Sequence, residues 1–194
     1  MAHVLTKSAA ALAVLIAIAA VIAACSKTLP GDGTGAGTVG QLGETDGVVL
    51  DHVAVDADVP AVTKLDSRLR KAVQKAAQAA EREGVTMFLT SGWRSQRYQQ
   101  YLYDEAVRRD GARAAARLVA SPTESEHVTG DAVDVGPTDA AYWMDRYSER
   151  FGLCRTYANE VWHYELRTGA SCPEMVSDAS ARRLTAAARS EARS

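Results

Sequence analysis

The chain has 194 residues, 47% of them hydrophobic and 24% charged, with 22 basic and 24 acidic side chains and a formal net charge of −2. Its arginines are scattered and form no basic face interleaved with aromatic residues, which excludes a typical nucleic-acid-binding protein. The sequence has neither internal repeats nor a glycine-rich phosphate loop, so repeat architectures and P-loop nucleotide binding are also excluded.

The first 24 residues have the pattern of a secretory signal. Lys7 precedes a stretch at 8–24 that is almost wholly Ala, Val, Leu and Ile, slightly too short and too rich in alanine for a spanning helix. The stretch ends in a sequence that resembles a bacterial lipobox, Ile22-Ala23-Ala24-Cys25. We therefore expect a lipoprotein signal peptide at 1–24, lipidation of Cys25, and an exported protein anchored in the cell membrane and facing the cell wall. Cleavage without lipidation and an uncleaved anchor are the alternatives.

The lipidated cysteine and a flexible tether are predicted to make up 25–47. This segment has no hydrophobic periodicity and contains seven glycines between positions 31 and 47. A flexible chain of this length spans roughly 26 Å. A folded domain on such a tether could reach substrate near the membrane surface without entering the membrane.

A folded domain is predicted at 48–172, a size that is common for single domains with a modest core. Its first element is a long helix that begins at Pro60 and ends near Glu83, just before Gly84. Apolar residues at helical spacing mark the buried face of this helix: Val62, Leu65, Leu69 and Val73.

The next elements follow in short order along the chain. A buried strand is predicted at 85–90, and helices at 95–109 and 112–119. In the first of these two helices, four apolar or aromatic residues are expected to point mostly inward: Tyr98, Tyr101, Leu102 and Val107. Thr138 can cap a further helix that runs to about Arg150.

A short strand is predicted at 131–135. Its alternation places Asp134 on one face and Val133 on the other. Gly130 permits the turn that brings His127 back towards Asp134. His127 is therefore expected to approach Asp134 from outside the strand.

The last predicted strand, at 161–167, carries the final histidine. His163 is expected to face a cleft, while the alternating apolar residues face the core: Trp162, Tyr164 and Leu166. In a regular strand Glu160 and His163 would lie on opposite faces. A shared site therefore requires Glu160 to lie in a turn before the strand, or a bulge to redirect its side chain.

Together these elements predict an α+β fold, a small antiparallel sheet flanked by helices, with the functional side chains in a surface cleft. The tail at 173–194 is rich in alanine and arginine. A marginal helix and a frayed end are the two alternatives for this tail, and we assign it no function.

Two histidines and two carboxylates in these segments match the inventory of a catalytic zinc site. Once the signal is removed the chain has three histidines, and two of them, His127 and His163, stand in this pattern with Asp134 and Glu160. Three protein ligands hold such an ion, an open position takes water, and a nearby carboxylate accepts a proton from that water. Ordinary polar residues without a metal are the alternative, which we disfavour because two separate segments supply complementary halves.

The same residues resemble the VanY-type zinc D-alanyl-D-alanine carboxypeptidases, a family that includes VanX dipeptidases and LdcB-type L,D-carboxypeptidases. The resemblance runs from about Val59 to Arg167 and comprises three motifs in the family's order. They are S-G-[YW]-R-S at Ser91–Ser95 with Gln99, S-x-H-x-x-G-x-A-x-D at Ser125, His127, Gly130, Ala132 and Asp134, and E-x-W-H at Glu160, Trp162 and His163. The resemblance implies a fold of the Hedgehog/D,D-peptidase type.

The resemblance also implies the roles of the central residues. His127, Asp134 and His163 would bind one zinc ion per chain. Glu160 would be the general base for the metal-bound water and then the acid that protonates the leaving amine.

By the same resemblance Arg94 would stabilise the oxyanion and, with Gln99 and Ser125, surround the terminal carboxylate of the substrate. A planar guanidinium suits that task because it can donate two hydrogen bonds at once. A surface arginine that caps the loop and a solvated glutamine on a helix are the alternatives for Arg94 and Gln99. For Glu165 and Asp131, solvated surface positions are favoured over contacts with the zinc ligands.

The remaining cysteines support export. Once Cys25 is assigned to the lipid, Cys154 and Cys172 form an even pair that an exported protein can oxidise. They lie on either side of Glu160 and His163 in the chain, so a disulfide between them would fix both ends of the segment that contains the last strand. Two free thiols are the alternative.

The function that the resemblance implies is a zinc-dependent carboxypeptidase that removes terminal D-alanine from peptidoglycan stem peptides. An L,D-carboxypeptidase that trims tetrapeptides and an endopeptidase are alternatives within the same chemistry. A non-catalytic peptidoglycan-binding lipoprotein is an alternative from another class. Glu160 argues against this last reading, since a binding protein has no need of a base.

Overall fold

The computed structural model describes residues 41–166 and 168–184. They lie in the second of two units of the chain, Val39–Ser194; the first unit, Met1–Thr38, lies outside the described residues. The predicted signal peptide, Cys25 and most of the predicted tether are therefore outside the described part as well. Within that part, no helix is both long enough and apolar enough to cross a membrane.

Two helices, α1 (Pro60–Thr63) and α2 (Ser67–Arg82), occupy the stretch that the sequence predicts as one long helix. Asp66 separates them, because its side chain accepts hydrogen bonds from two backbone N–H groups in the first turn of α2. Its own N–H donates to the carbonyl of Gly130, far along the chain. The single-helix prediction is wrong because this cap and this long-range contact interrupt the helix.

Four short strands form the sheet: β1 (Phe88–Ser91), β2 (Ala132–Gly136), β3 (Leu153–Arg155) and β4 (His163–Leu166). Their order is β1-β2-β4-β3, and each neighbouring pair is antiparallel. The predicted α+β class with a small antiparallel sheet is confirmed. The first strand begins three residues later than predicted, and its pairing shifts between Leu89 and Ser91.

The other helices are α3 (Gln96–Asp110), α4 (Ala112–Leu118), α5 (Glu126–Thr129) and α6 (Thr138–Tyr147). Helices α3 and α4 lie where they are predicted, whereas α5 is a single turn that is too short to show a hydrophobic period. A 3-10 helix, Ser148–Phe151, replaces the end of the last predicted helix. Thr138 is the first helical residue of α6 and not its cap, since Pro137 occupies the N-cap position.

The buried side of α3 differs from the prediction. Gln99 and Ala106, seven residues apart, are its buried residues. Tyr101 is 44% exposed, so its predicted inward position is wrong. Two helical turns separate the buried pair, and Tyr101 lies about 200° around the helix from Gln99, away from that side.

The main core lies between the sheet and the two helices α2 and α6. Buried side chains from both layers contribute to it, including Leu69, Val73, Val133, Val135 and Tyr164. The hydroxyl of Tyr164 donates to the carbonyl of Ala141 on α6, which satisfies the one polar atom of this buried ring. Because Val133 and Tyr164 face this core, the alternate residues of β2 and β4 face the opposite side of the sheet.

The chain after β4 is tied back onto the domain. Cys154 on β3 and Cys172 form a disulfide. Val176 makes a parallel β-bridge with Tyr157, and residues 179–184 are helical. The helical alternative therefore holds for this part of the predicted tail, which packs against the domain.

Candidate active site

Three elements each contribute one side chain to a buried cluster. His127 lies on α5, Asp134 in the middle of β2, and His163 at the first position of β4. Each of the three offers a donor atom, and these atoms all lie within 4.8 Å of one another. Asp134 and His163 are direct cross-strand partners, so the sheet register sets two of the three positions.

The hydrogen bond of His127 defines its tautomer. Nδ1 lies 2.8 Å from the carbonyl oxygen of Gly92, and because a carbonyl can only accept, Nδ1 carries the proton. Nε2 therefore presents a lone pair, 3.4 Å from Oδ1 of Asp134. The backbone supports this geometry, since the N–H of Arg94 donates to the carbonyl of His127 over 3.0 Å.

His163 lies between two carboxylates. Its Nδ1 is 3.1 Å from Oδ1 of Asp134, and its Nε2 is 3.1 Å from Oε1 of Glu165. A carboxylate on the outer nitrogen holds the ring in one orientation and directs the inner nitrogen towards the cluster. The prediction that Glu165 is a solvated surface residue is wrong, because its side chain is only 14% exposed. Asp131 is partly exposed.

Arg94 is held by hydrogen bonds from three of its nitrogens. Nη2 donates to Oδ2 of Asp134 over 2.7 Å, Nη1 to Oε1 of Gln99 over 3.1 Å, and Nε to the hydroxyl of Ser91 over 2.7 Å. Its side chain is 15% exposed, which excludes the surface-arginine alternative. Arg94 thus anchors one oxygen of Asp134 and leaves the other facing the histidines.

Gln99 and Ser125 both lie beside the cluster. Gln99 is fully buried, and its amide nitrogen donates to the carbonyl of Ala120 over 2.8 Å, so the solvated alternative is wrong. This second bond sets which end of the amide faces Arg94. Ser125 is buried at the N-cap of α5, and its side chain makes no capping bond there.

Burial and charge perturb the cluster in different directions. Burial, together with the charge of Arg94, lowers the pKa of His127. Burial also opposes the charged form of His163, but its bonds to Asp134 and Glu165 outweigh burial and raise its pKa to about 9. For Asp134, burial opposes ionisation, yet the two histidines and Arg94 hold its pKa well below the usual range. The carboxylate is therefore ionised and the neutral form of His127 is favoured.

Glu160 lies just before β4, in the turn that the sequence left open as one of two alternatives. Its Oε2 is 3.9 Å from Nδ1 of His163. Burial raises the pKa of Glu160 to about 7. A carboxylate with such a pKa can both accept and return a proton near neutral pH.

The cluster opens into a cleft of about 300 Å³. Its walls come from α3, α4, α5 and the turn before β4, and include Arg94, Gln99, Ser125, Glu160 and Trp162. Trp162 is 44% exposed, so the prediction that it faces the core is wrong. The residue lies in the turn and not in the strand, and strand alternation does not apply to it.

Sequence reasoning missed other parts of this cleft. Tyr157 and Ala179 line it as well, and no motif or period marks either residue. The contact of Glu165 with His163, which the sequence analysis weighed and disfavoured, had a usable signal, because Glu165 lies two positions after His163 and therefore on the same face of β4.

The donor set suits a zinc ion. Two imidazoles and one carboxylate are ligands that zinc takes in catalytic sites. His127 has its outer nitrogen bound to a carbonyl and His163 has its outer nitrogen bound to a carboxylate, the arrangement usual for zinc-binding histidines. The residues present thus fit the metal that the motifs imply.

The sequence of the chain matches a known family. The family described as VanY, D-alanyl-D-alanine carboxypeptidase, matches residues 62–168. A D-alanyl-D-alanine carboxypeptidase of Enterococcus faecalis (strain ATCC 700802 / V583) is 32% identical over 127 residues, covering 52% of this chain and 47% of that protein. The chain spans about half the length of the curated relatives it matches.

Solved structures show the same fold. A vancomycin-resistance D,D-pentapeptidase VanY variant in complex with Zn(II) is 31% identical, with a TM-score of 0.50 over 53% of this chain and 72% of that one. The LdcB LD-carboxypeptidase is 25% identical, with a TM-score of 0.50 over 61% of this chain and 66% of that one. The matched region contains the whole cluster and Glu160, and on this evidence the chain belongs to the VanY family of D-alanyl-D-alanine carboxypeptidases.

Proposed function

We propose that the protein is a zinc-dependent carboxypeptidase that removes terminal D-alanine from peptidoglycan stem peptides. One observation carries the proposal: His127, Asp134 and His163 converge in a cleft beside the carboxylate of Glu160. Membership of the VanY family supports the reaction class. The D,D-pentapeptidase structure with bound zinc supports the metal.

A zinc ion held by the three side chains would supply a Lewis acid that polarises a carbonyl and lowers the pKa of water towards roughly 7. Glu160 lies within reach of the same place. It takes a proton from the attacking water and later gives it to the leaving amine, two transfers that suit its pKa of about 7.

Arg94 contributes a fixed positive charge to the cleft wall. Its bonds to Ser91, Gln99 and Asp134, within the described residues, use three of its five N–H groups. The other two can donate to a carbonyl or carboxylate oxygen of the substrate. Because the guanidinium is already held, little conformational entropy is lost when it binds that oxygen.

The proposal is tested by measuring D-alanine release from pentapeptide and tetrapeptide stems by the detergent-solubilised protein, with and without a chelator. We expect chelator-sensitive release from the pentapeptide. Glu160→Ala should retain zinc and lower kcat by roughly 10²–10⁴-fold, the usual contribution of a general base. Glu81→Ala, a change on the exposed surface of α2, is the matched control. Full activity of the Glu160 variant would remove this residue from the mechanism.

An L,D-carboxypeptidase is the second candidate, because the LdcB LD-carboxypeptidase shares the fold at a similar TM-score. The same assay separates the two. Release from the tetrapeptide alone would assign L,D-specificity, and release from the pentapeptide alone would assign D,D-specificity.

We also propose that the protein is an exported lipoprotein, held at the cell membrane through Cys25. The disulfide between Cys154 and Cys172 supports export, because such bonds persist in oxidising compartments. Cys25→Ser should move the protein from the membrane fraction to the soluble fraction. Unchanged membrane association of this variant would refute the lipid anchor.

A further inference from the structure

The segment 173–184 lies beyond the region that matches the VanY family, which ends at residue 168. It returns to the cleft through backbone contacts with the chain between β3 and β4. The N–H of Val176 donates to the carbonyl of Thr156 over 3.1 Å, and the carbonyl of Val176 accepts from the N–H of Ala158 over 2.8 Å. Ala179 then forms part of the cleft wall.

Asp178 directs the helical turns that follow it. It is 5% exposed, and its Oδ1 accepts from the hydroxyl of Ser180 and from the N–H of Ala181. Its Oδ2 accepts from Nε of Arg117 on α4 over 3.0 Å. These bonds cap the turn and attach it to the domain, so the direction of residues 179–184 is defined.

Arg182 points from this turn towards the carboxylates next to the cluster. Nη1 donates to Oε1 of Glu165 and, over 3.2 Å, to the hydroxyl of Tyr157. Nη2 donates to Oε1 of Glu126 over 2.7 Å. One guanidinium therefore bridges the start of α5, next to His127, and the strand β4 that begins with His163.

The contact with Glu165 reaches the cluster directly. Oε1 of Glu165, which accepts from Arg182, is also the oxygen that lies 3.1 Å from Nε2 of His163. The position of this oxygen determines how the ring of His163 is turned, and hence where its inner nitrogen points. Arg182 is the cation that Glu165 and Glu126 share. Without its guanidinium, the two carboxylates would repel each other, and this repulsion would push Glu165 away from the ring of His163.

We propose that Arg182 is a positioning residue for the metal site, which holds Glu165 against His163 from a segment outside the family's matched region. The inference rests on the proposed zinc function and extends it. The predicted tail, to which the sequence assigns no function, then contributes through Arg182 to the affinity of the site for its metal.

The test uses the full chain in detergent, stripped of metal, and measures the zinc dissociation constant by chelator competition. Arg182→Gln should weaken zinc binding by about tenfold, the lower end of the range found when the direct partner of a ligand is removed, because Arg182 acts on His163 through Glu165. Arg183→Gln is the matched control, because Arg183 pairs with Glu124, whereas the contact with Glu165 belongs to Arg182. It should change the zinc dissociation constant by less than about twofold, since only surface charge is altered.

A double-mutant cycle separates positioning from folding. In a Glu165→Gln background the effect of Arg182→Gln on zinc affinity should fall to about twofold or less, because the two residues act in series. Thermal unfolding of the metal-free variants checks that the segment remains folded. Equal losses in both backgrounds, or wild-type zinc affinity in Arg182→Gln, would overturn the inference.

The measurement also distinguishes the inference from the proposed function. If the wild-type protein releases D-alanine and Arg182→Gln binds zinc with normal affinity, the inference about Arg182 is refuted and the proposed function stands. If the wild-type protein binds no zinc, both are refuted.

Discussion

The two oxygens of Asp134 have different partners, and this division organises the site at the scale of single residues. Oδ2 accepts from Arg94, while Oδ1 faces Nε2 of His127 and Nδ1 of His163. Anchoring one oxygen leaves the other in a defined direction, as a metal ligand requires. Arg94 thus has two tasks, since the side chain proposed to bind substrate also orients a ligand.

We predict that Arg94→Lys lowers kcat/KM by about 100-fold or more. A lysine ammonium is a point charge and cannot hold Ser91, Gln99 and Asp134 together as the planar guanidinium does, and small displacements of a ligand have effects of this size. Steady-state kinetics on the pentapeptide checks this prediction. Arg146→Lys, on the exposed side of α6, should retain wild-type kinetics. If Arg94→Lys retained more than half of the wild-type kcat/KM, the prediction for Arg94 would be contradicted.

At the scale of elements, the single turn α5 depends on how it ends. Gly130 terminates it at φ +83°, a conformation that L side chains rarely adopt, and a Cβ there would lie 2.5 Å from the carbonyl oxygen of Lys64. The carbonyl of Gly130 also accepts a hydrogen bond from the N–H of Asp66, at the start of α2. His127 is thus held in place by the close approach of α5 to the α1–α2 junction.

Gly130→Ala should destabilise the protein by about 2–4 kcal/mol and weaken zinc binding at least tenfold. The positive φ costs about 1 kcal/mol, and the clash with the backbone of Lys64 adds to it and displaces α5. Urea unfolding and chelator competition measure the two effects.

Gly84→Ala provides the control for backbone strain alone. Gly84 has φ +79°, but a Cβ there would meet no heavy atom within 4 Å. This variant should cost about 1 kcal/mol and leave zinc affinity unchanged. Equal effects of the two substitutions would show that the contact with Lys64 has no role.

At the scale of the whole molecule, contacts at both ends of the described chain hold segments against a small core. The disulfide and residues 173–184 do so at the C-terminal side. At the N-terminal side, Asp46 is buried and accepts from Arg97 and from the hydroxyl of Ser95 at the start of α3. Of these two segments, the C-terminal one also contributes to the cleft wall, through Ala179.

The Asp46 anchor predicts a pH dependence of stability. Its hydrogen bonds with Arg97 lower the pKa of Asp46 from 3.8 to about 2, although burial opposes ionisation. Because the folded pKa lies below the unfolded one, the contribution is complete above about pH 5 and is lost as the pH falls from about 4 to 2. The difference in free energy of unfolding between wild type and Asp46→Asn should shrink over that window.

Urea unfolding between pH 2 and 7 measures this difference, with the exposed Asp56→Asn as control. A difference that stays constant down to pH 2 would contradict the prediction. Subtracting the free energy of unfolding of Asp46→Asn from that of the wild type isolates the contribution of this one carboxylate, which is necessary because other groups also titrate in acid.

Local information in the sequence determined much of this protein. Alternation and turn residues were enough to predict the α+β class, the helices α3 and α4, and the face of β2 that carries Asp134. The motifs predicted which side chains would meet, and the structure brings His127, Asp134, His163 and Glu160 together. The helices and strands are readable because they depend on neighbours within a few positions, whereas the meeting of the two motif segments was implied by the resemblance to the VanY family.

Only the tertiary structure decided which groups surround these residues. Trp162 lies on the cleft and not in the core because the chain turns before β4, and Glu165 is buried because the last segment covers it. Arg182 reaches Glu165 and Glu126, which are 17 and 56 positions away in the chain. These contacts depend on where the chain returns after the sheet is formed, and no local pattern encodes that path.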